Sequence, residues 1–335
     1  MKLPNRRSRA AFTLIEIIIV IAIIAIILSI AVGAYFRVYV LADQLSARSD
    51  ITQLSAALDK IKGGAEKKGG RGYPPSRLKL ACRLSDYGNT QLDKDSITYL
   101  EAALGIRNTI DPNDANDWQK AIGIDWTGLL YTTGSPGMVP GDVVILEGDQ
   151  VLVFALGGAQ STSGGGPSYV GFSDNPKNPM SNVDSNSGNV VFQYQSPSFQ
   201  FKGNRLAVFP HLGDPRGLFP SYTDSYGKNV YAYFSAYNRA NGYNRYFDGT
   251  AASNDCATLG VWPYAKSLSP TKEYQNPETF QIICAGRDGT FGPGSDPTSS
   301  SPMLWTPGTA TLVNGSPPGY DDMSNFHGVL LGIAK

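Results

Sequence analysis

Residues 11–36 read AFTLIEIIIVIAIIAIILSIAVGAYF, and Glu16 is the only charged side chain among them. From Ile17 to Phe36 twenty residues carry no charge, and a helix of that length is about 30 Å long, which matches the hydrocarbon core of a bilayer. This stretch therefore predicts a transmembrane helix. Because a carboxylate inside an apolar span is costly and usually has a function, Glu16 is a candidate functional residue.

The residues before this span are basic. Positions 1–11 contain four basic side chains and no acidic one, although the 335-residue chain as a whole has no net charge. A basic flank predicts that the N-terminus is cytoplasmic and that the rest of the chain lies outside. A cleaved secretory signal is disfavoured, because the apolar run is too long and no small-residue cleavage pattern precedes Arg37.

Beyond Arg37 the helical pattern continues and becomes amphipathic. A Gly- and Pro-containing segment at residues 63–75 then ends it. The sequence thus predicts one helix over residues 12–62, membrane-spanning over 12–36 and amphipathic over 37–62. We expect the second half to pack its apolar face on a globular head over residues 73–335. That face consists of Val38, Leu41, Leu45, Ile51, Leu54, Leu58 and Ile61.

The head is predicted to mix helices and strands. The run Asp149–Leu156 suits a buried strand or a helix, and Asp149 as N-cap with the following Gly-Gly pair favours a helix. The fold class is therefore α+β, with the long helix packed on an antiparallel β-sheet that carries large loop insertions. The other predicted elements are a helix at 95–104, strands at 142–146, 190–194, 230–234 and 279–285, and Gly/Ser/Asn-rich surface loops at 157–166, 181–189 and 289–301.

The beginning of the apolar span resembles a known processing signal. Ala11-Phe12-Thr13-Leu14-Ile15-Glu16 resembles the prepilin cleavage site of type IV pilins and type II secretion pseudopilins, with Ala11 where that family usually has Gly. The resemblance implies removal of a leader peptide over residues 1–11 by prepilin peptidase and N-methylation of Phe12. It also implies that Glu16 meets the positive N-terminus of a neighbouring subunit during assembly, where each charge neutralises the other in lipid.

Three segments of the head extend this resemblance to the major pseudopilin of type II secretion: residues 223–233, 283–289 and 319–326. In that family the last two wrap a structural calcium ion, which implies Asp288, Asp321 and Asp322 as ligands. Calcium takes six to eight oxygen ligands, so carboxylates in a Gly-rich loop suit it. The alternative is a hairpin turn at Asp288-Gly289 and a solvated acidic pair at Asp321-Asp322. Here some thirty residues separate the two halves of the loop.

A second acidic segment, Asp111–Asp117, resembles an EF-hand only superficially. It has no Gly at the sixth position, and Ile122 stands where the bidentate Glu of an EF-hand falls. We predict a loop there.

The cysteines and histidines give little sign of catalysis. Three cysteines are an odd number for an oxidising compartment. A Cys256–Cys284 disulfide would close a loop of ordinary length and leave Cys82 free, and other pairings stay open. His211 and His327 lie in no recognisable triad, metal or kinase motif, and no phosphate-binding loop is present. The sequence predicts that the protein is not an enzyme.

Seven of the eighteen tyrosines lie between Tyr222 and Tyr246. Such an aromatic surface could stack on sugars. However, Tyr231 and Tyr233 share one face of a predicted strand, and aromatic residues favour strands in any case. The pattern favours packing in the core.

These features predict a structural subunit of a type II secretion-type pseudopilus in the inner membrane, with a single span and an extracytoplasmic head. Its expected partners are further copies, other pseudopilins, prepilin peptidase, the inner-membrane assembly platform and membrane lipid. Zero net charge argues against a nucleic-acid partner. Three alternatives remain: a type IV pilin for adhesion, motility or DNA uptake, a single-pass anchored binding protein that does not assemble, and a membrane-anchored hydrolase. The last has no catalytic constellation in the sequence to support it.

Overall fold

The longest element of the computed structural model is one N-terminal helix, α1, over Leu14–Lys67. It extends five residues past the predicted end because the chain continues in helical conformation through Gly63. The structure describes residues 13–67, 72–106, 124–127, 137–161, 168–184, 187–237, 239–267, 271–292, 294–297 and 319–332.

The first part of α1 has the properties of a membrane span. Leu14–Val32 is 19 residues long with a mean hydropathy of 3.2, and none of it is buried inside the protein. By length and composition this segment can cross a bilayer.

The chain divides into two compact units, Met1–Ser46 and Ala47–Lys335. We call the second unit the head. The head therefore begins inside α1, well before the predicted boundary at Tyr73. The reason is that the later turns of the helix belong to the hydrophobic core, where Ala47, Leu54 and Leu58 are fully buried.

In the described part of the head, two further α-helices and three short 3-10 helices accompany short strands. The α-helices are α2 (Gln91–Leu104) and α3 (Gly148–Gly157). The strands are β1 (Leu78–Ala81), β2 (Val143–Leu146), β3 (Ala159–Ser161), β4 (Ser168–Gly171), β5 (Leu206–Ala207), β6 (Ser221–Tyr222), β7 (Ala232–Ser235), β8 (Ala265–Ser267), β9 (Glu273–Tyr274), β10 (Phe280–Cys284) and β11 (Met323–Ser324).

Both predicted head helices are confirmed, but the predicted N-cap of α3 is wrong: Glu147 caps the helix, and Asp149 lies inside its first turn. α2 begins four residues earlier than expected because Thr90 caps it: the Thr90 side chain accepts from the Asp93 N–H, and the Asp93 carboxylate accepts from the Thr90 N–H. It ends at Gly105, which adopts a left-handed conformation with φ 70°. All ten residues of α3 are buried, which explains its uninterrupted apolar sequence.

The expected antiparallel sheet is divided into small sheets. Among the described residues the largest has three strands in the order β11-β10-β7, with Ile282 opposite Tyr233, and the other four have two strands each. The strand predicted at 190–194 is wrong: Val190 and Tyr194 make only isolated bridges, and Val190 is 68% exposed. An apolar run without a covering layer has no reason to extend into a sheet.

The three-stranded sheet separates two parts of the core. On one face, Tyr231, Tyr233 and Ile282 pack with the buried turns of α1 and with α3. On the other face, Phe234 and Ile283 pack with a second apolar cluster. The prediction that the tyrosine-rich segment serves packing is thus confirmed for Tyr231 and Tyr233, which are fully buried.

A polar contact also joins α1 to the rest of the head. Asp50 forms an ion pair with Arg205, at 2.8 Å between the Oδ2 and NH2 atoms. The hydroxyl groups of Ser225 and Tyr231 both donate to the same carboxylate at 2.9 Å. Asp50 is 6% exposed, so this network compensates a buried charge.

Candidate functional site

Glu16 lies in the first turn of α1 and completes a capping box. Its Oε2 atom accepts hydrogen bonds from the Thr13 N–H and the Thr13 hydroxyl, both at 2.8 Å. The Glu16 N–H in turn donates to the Thr13 hydroxyl at 3.3 Å. These hydrogen bonds stabilise the N-terminus of the helix. Because the Glu16 side chain is exposed, its carboxylate stays accessible to a cation.

The sequence contains a local signal for this box. Thr13-x-x-Glu16 directly before an apolar run is the usual pattern of a capping box. Ala11 and Phe12, the two residues of the predicted cleavage site, lie outside the described residues.

The predicted apolar face of α1 has two different environments. Leu54 and Leu58 are fully buried, as expected for a face packed on a head. In contrast, Val38, Leu41 and Leu45 are 66%, 54% and 65% exposed. The expectation that the whole face packs within the chain is therefore wrong for its first three members. They form an exposed apolar stripe, which we call the stalk stripe, just beyond the candidate span.

The two acidic segments of the predicted calcium loop meet in the structure. Oδ2 of Asp321 accepts from the Arg287 N–H at 2.6 Å and from the Asp288 N–H at 3.0 Å. Gly286 makes this approach feasible: a Cβ there would lie 2.3 Å from the Asp321 carbonyl oxygen, and its φ is +67°. The turn after β10 and the segment before β11 are therefore joined through the Asp321 side chain.

Asp322 is the buried member of this group. Its Oδ2 atom accepts from the Gly292 N–H at 2.9 Å and from the Tyr264 hydroxyl at 3.0 Å. Its Oδ1 atom is buried and has no hydrogen-bond partner among the described residues. Burial, with a smaller contribution from the charges of Asp321 and Asp288, raises the pKa of Asp322 to about 7.

The three aspartates do not converge as metal ligands. Asp288 is exposed, and its Oδ1 accepts from the Thr290 N–H at 2.7 Å. Among the residues that the structure describes, no group of three or more His, Cys, Asp or Glu side chains is arranged to hold a metal ion. In this conformation backbone N–H groups hold the carboxylates of Asp288 and Asp321. The other acidic segment, Asp111–Asp117, lies outside the described residues.

The suggested Cys256–Cys284 disulfide is not formed. Cys256 and Cys284 are buried free thiols, as is Cys82. The two belong to different parts of the core: Cys284 lies with Tyr233 and Ile282, whereas Cys256 lies with Phe234 and Ile283 on the opposite face of the sheet. Burial raises the pKa of both Cys256 and Cys284 well above that of an ordinary thiol, so neither is poised as a nucleophile.

His211 forms a buried polar contact. Its Nε2 lies 2.8 Å from Oδ2 of Asp149, and its Nδ1 lies 3.0 Å from the Phe209 carbonyl oxygen. The Ser221 hydroxyl donates to the same Asp149 oxygen at 2.6 Å. In a hydrolytic triad the His lies between the Ser and the acid, whereas here the carboxylate receives both contacts. The arrangement ties α3 to β6 and to the segment that precedes it.

Comparison with known proteins adds information at the N-terminus alone. Residues 6–32 match the family model described as the prokaryotic N-terminal methylation motif. No curated protein and no solved structure matches the chain. The matched segment covers the predicted leader end, Glu16 and the candidate span. The chain therefore carries the prepilin-type methylation motif on an apolar N-terminal helix, which is followed by a head of small antiparallel sheets.

Proposed function

We propose that the protein is a structural subunit of a type II secretion-type pseudopilus, cleaved by prepilin peptidase between Ala11 and Phe12 and methylated on Phe12. The observation that carries the proposal is the methylation motif at residues 6–32, which overlaps a span-length apolar helix containing Glu16. The resemblance of the acidic segments to the major pseudopilin favours the secretion role over a surface pilus.

Glu16 is proposed to select the next subunit in the filament. Cleavage after Ala11 would leave a positively charged amine on Phe12, and an amine and a carboxylate stabilise each other in lipid. Within one chain, Thr13 already donates two hydrogen bonds to Glu16. A neighbouring amine would add a full charge to this exposed carboxylate, which makes the intermolecular pair stronger than the capping box alone.

The stalk stripe supports assembly through the helix. Val38, Leu41 and Leu45 lie at helical spacing of three and four residues, so they share one face. Outside the candidate span these side chains face water in a single subunit, and burying each one gains roughly 1.5–3 kcal/mol. We propose that the α1 helices of neighbouring subunits cover this stripe.

The basic leader supports an orientation with the N-terminus in the cytoplasm and the head outside the inner membrane. In that orientation the leader is accessible to prepilin peptidase at the cytoplasmic face. The same orientation presents α1 to the assembly platform and to other pseudopilins in the bilayer. The proposed role is structural, with no catalytic step.

A calcium ion in the acidic loop is part of this proposal. It is supported by the unpartnered, buried Oδ1 of Asp322 close to two further aspartates. Binding requires Asp288 and Asp321 to exchange N–H hydrogen bonds for the ion. Calcium should then raise the melting temperature of the detergent-solubilised chain, and Asp322→Asn should remove that rise. Asp296→Asn, which alters a carboxylate outside this set, is the matched control. An identical melting temperature with calcium and with chelator contradicts this part.

Processing tests the central claim most directly. The full chain is expressed with and without a prepilin peptidase, and the N-terminus is identified by mass spectrometry. We expect N-methylated Phe12 only when the peptidase is present, and Ala11→Leu should block cleavage. An intact leader in the presence of active peptidase would overturn the proposal and leave a single-pass anchored protein. Processed protein that forms long surface fibres would indicate a type IV pilin instead.

A further inference from the structure

His211 begins a tight turn that packs against two elements of the head. The His211 N–H donates to the Asp214 carbonyl at 3.0 Å, and the Asp214 N–H donates back to the His211 carbonyl at 3.2 Å. From β2, the Ile145 N–H donates to the Gly213 carbonyl at 2.9 Å. From α3, the Gln150 amide donates to the Asp214 carboxylate at 3.0 Å. The turn is therefore fastened to both elements.

Both ring nitrogens of His211 face hydrogen-bond acceptors. Nδ1 lies 3.0 Å from the Phe209 carbonyl oxygen, which can only accept, so Nδ1 carries a proton. Nε2 lies 2.8 Å from Oδ2 of Asp149. The Ser221 hydroxyl donates to the same oxygen at 2.6 Å, a length typical of a bond to an ionised carboxylate. An ionised carboxylate also only accepts. Nε2 therefore carries a proton too, and the ring is a charged imidazolium.

The groups that surround the ring favour its charged form. Asp149 and Glu147 act on it as negative charges, and Asp214 lies in the same turn; all three are at most 1% exposed. Among the described residues, no Lys or Arg forms an ion pair with any of them. Burial by itself lowers the pKa of His211, but the hydrogen bond and the negative charges outweigh it and raise the pKa. Burial keeps the neighbouring Cys256 thiol neutral by raising its pKa.

The unpartnered carboxylate oxygens increase the need for this positive charge. Oδ1 of Asp149 and Oδ1 of Asp214 are buried and have no hydrogen-bond partner among the described residues. A buried carboxylate that lacks hydrogen bonds depends on a nearby opposite charge. In the described part of the head, His211 is the side chain that supplies it.

We propose that His211 is a proton-dependent latch, which fastens its turn to α3 while the ring is charged and releases it when the ring loses a proton to water. A neutral imidazole has only one N–H. One ring nitrogen would then direct its lone pair at the Asp149 carboxylate or at the Phe209 carbonyl, and the attraction would become a repulsion. The turn would also leave a buried acidic group without its positive charge.

The direction of the pH dependence follows from the proton count. The folded chain binds this proton more tightly than the unfolded chain, in which the pKa of a histidine is about 6.5. The contribution of the latch is therefore complete below about pH 6.5 and is lost as the pH rises through the higher folded pKa. Over that range, the folding equilibrium constant should fall by up to about tenfold per pH unit.

The protonation state of the ring is tested on the full chain in detergent by NMR with 15N-labelled histidine. The chain contains only two histidines, so a His327→Gln variant assigns the signals. At pH 7 an ordinary histidine is about three-quarters neutral. We expect His211 to show two protonated ring nitrogens at this pH in the folded chain. One unprotonated nitrogen in the folded chain at pH 7 would overturn the proposal. Asp149→Asn, which removes the charge and keeps the size, should make the ring neutral.

The latch itself is tested by chemical denaturation between pH 6 and 9. The ratio of the folding equilibrium constants of wild type and His211→Gln should fall by up to about tenfold per pH unit, since other buried groups titrate in both proteins. His327→Gln, a change of the other histidine, should keep the wild-type loss. A constant ratio, or the same flattening in His327→Gln, would overturn the latch. If His211→Gln does not fold, the NMR measurement on the wild-type ring still decides. Neither measurement depends on filament assembly.

Discussion

The two halves of α1 differ in apolar content and have opposite surroundings. From Leu14 to Leu45 the large apolar side chains described by the structure are about half exposed or more, whereas Ala47, Leu54 and Leu58 are fully buried. The first half thus has no partner within the described chain and must be covered by lipid or by other molecules. The second half is covered by the head. One continuous helix therefore has one end that the described chain leaves uncovered and another end that belongs to the core of the head.

The strongest test of this contrast is Glu16→Ala. If the first half acts between subunits, the variant should be cleaved and methylated normally but lose filament assembly almost completely, because an unpaired amine would remain in lipid. Sheared filaments counted by electron microscopy and the N-terminal mass report the two properties separately. Glu278→Ala, at an exposed head carboxylate, should assemble normally. Normal filaments from Glu16→Ala would remove the role assigned to Glu16.

A second test compares the same substitution in the buried and in the exposed part of the apolar face of α1. Leu54→Ala should lower the free energy of unfolding of the head by about 2–5 kcal/mol, because it leaves a cavity in the core. Leu41→Ala should change it by less than about 0.5 kcal/mol, since this side chain is exposed. Chemical denaturation of the detergent-solubilised chain measures both. Equal destabilisation would show that the stalk stripe is packed inside the subunit.

The ion pair on α1 provides a third test. Asp50→Ala leaves the Arg205 guanidinium without its carboxylate and should cost about 3 kcal/mol of unfolding free energy. Asp43→Ala, which changes a carboxylate of the first half of the helix, should cost less than about 0.5 kcal/mol. The same denaturation assay applies. If Asp50→Ala is also near neutral, the polar network does not help to fix the helix to the head.

The pH dependence of the head provides a fourth test of the contrast, because the head contains a fully buried carboxyl group at Asp255. Complete burial raises the pKa of Asp255 to about 6, although the Ser76 hydroxyl donates to it at 2.6 Å. A carboxyl group whose pKa is higher in the folded than in the unfolded chain stabilises the folded state when it is protonated. Its contribution is therefore lost as the pH rises from about 4 to 6, by at most about 1.4 kcal/mol per pH unit.

Asp255→Asn should remove this part of the slope. The difference between the unfolding free energies of wild type and variant, measured at several values of pH, isolates the Asp255 contribution from other buried groups. A difference that stays constant between pH 4 and 6 would contradict the assignment.

The smallest expected effect concerns the thiols. Alkylation of the unfolded chain without reductant should add three groups, because Cys82, Cys256 and Cys284 are free. The same count should follow with reductant. A mass that shows one added group would indicate a disulfide and a rearranged core.

Local signals predicted several elements well. α3 followed from an apolar run stopped by glycines, and α2 from its apolar pattern and Gly105. The earlier start of α2 is also encoded locally, by the capping box of Thr90 and Asp93. In contrast, the segment around Val190 has strand-forming residues and is largely exposed. Strand propensity depends on a covering layer, which the local sequence does not contain.

The candidate sites also differ in whether neighbouring residues in the sequence were enough to identify them. Glu16 and its apolar span were identifiable because a carboxylate in a long uncharged run is rare and the relevant residues are adjacent. The free state of Cys256 and Cys284 was not, because it depends on which face of a sheet each residue occupies.

The sequence by itself determined that this protein has a prepilin-type N-terminus, a span-length helix and a carboxylate inside it, since these properties depend on neighbouring residues and on the thickness of a bilayer. Only the tertiary structure decided where the head begins, which apolar side chains of α1 stay exposed, and how the acidic loop is held. Those outcomes depend on burial and hydrogen bonding between distant segments, whose free energies exist only once the segments have met.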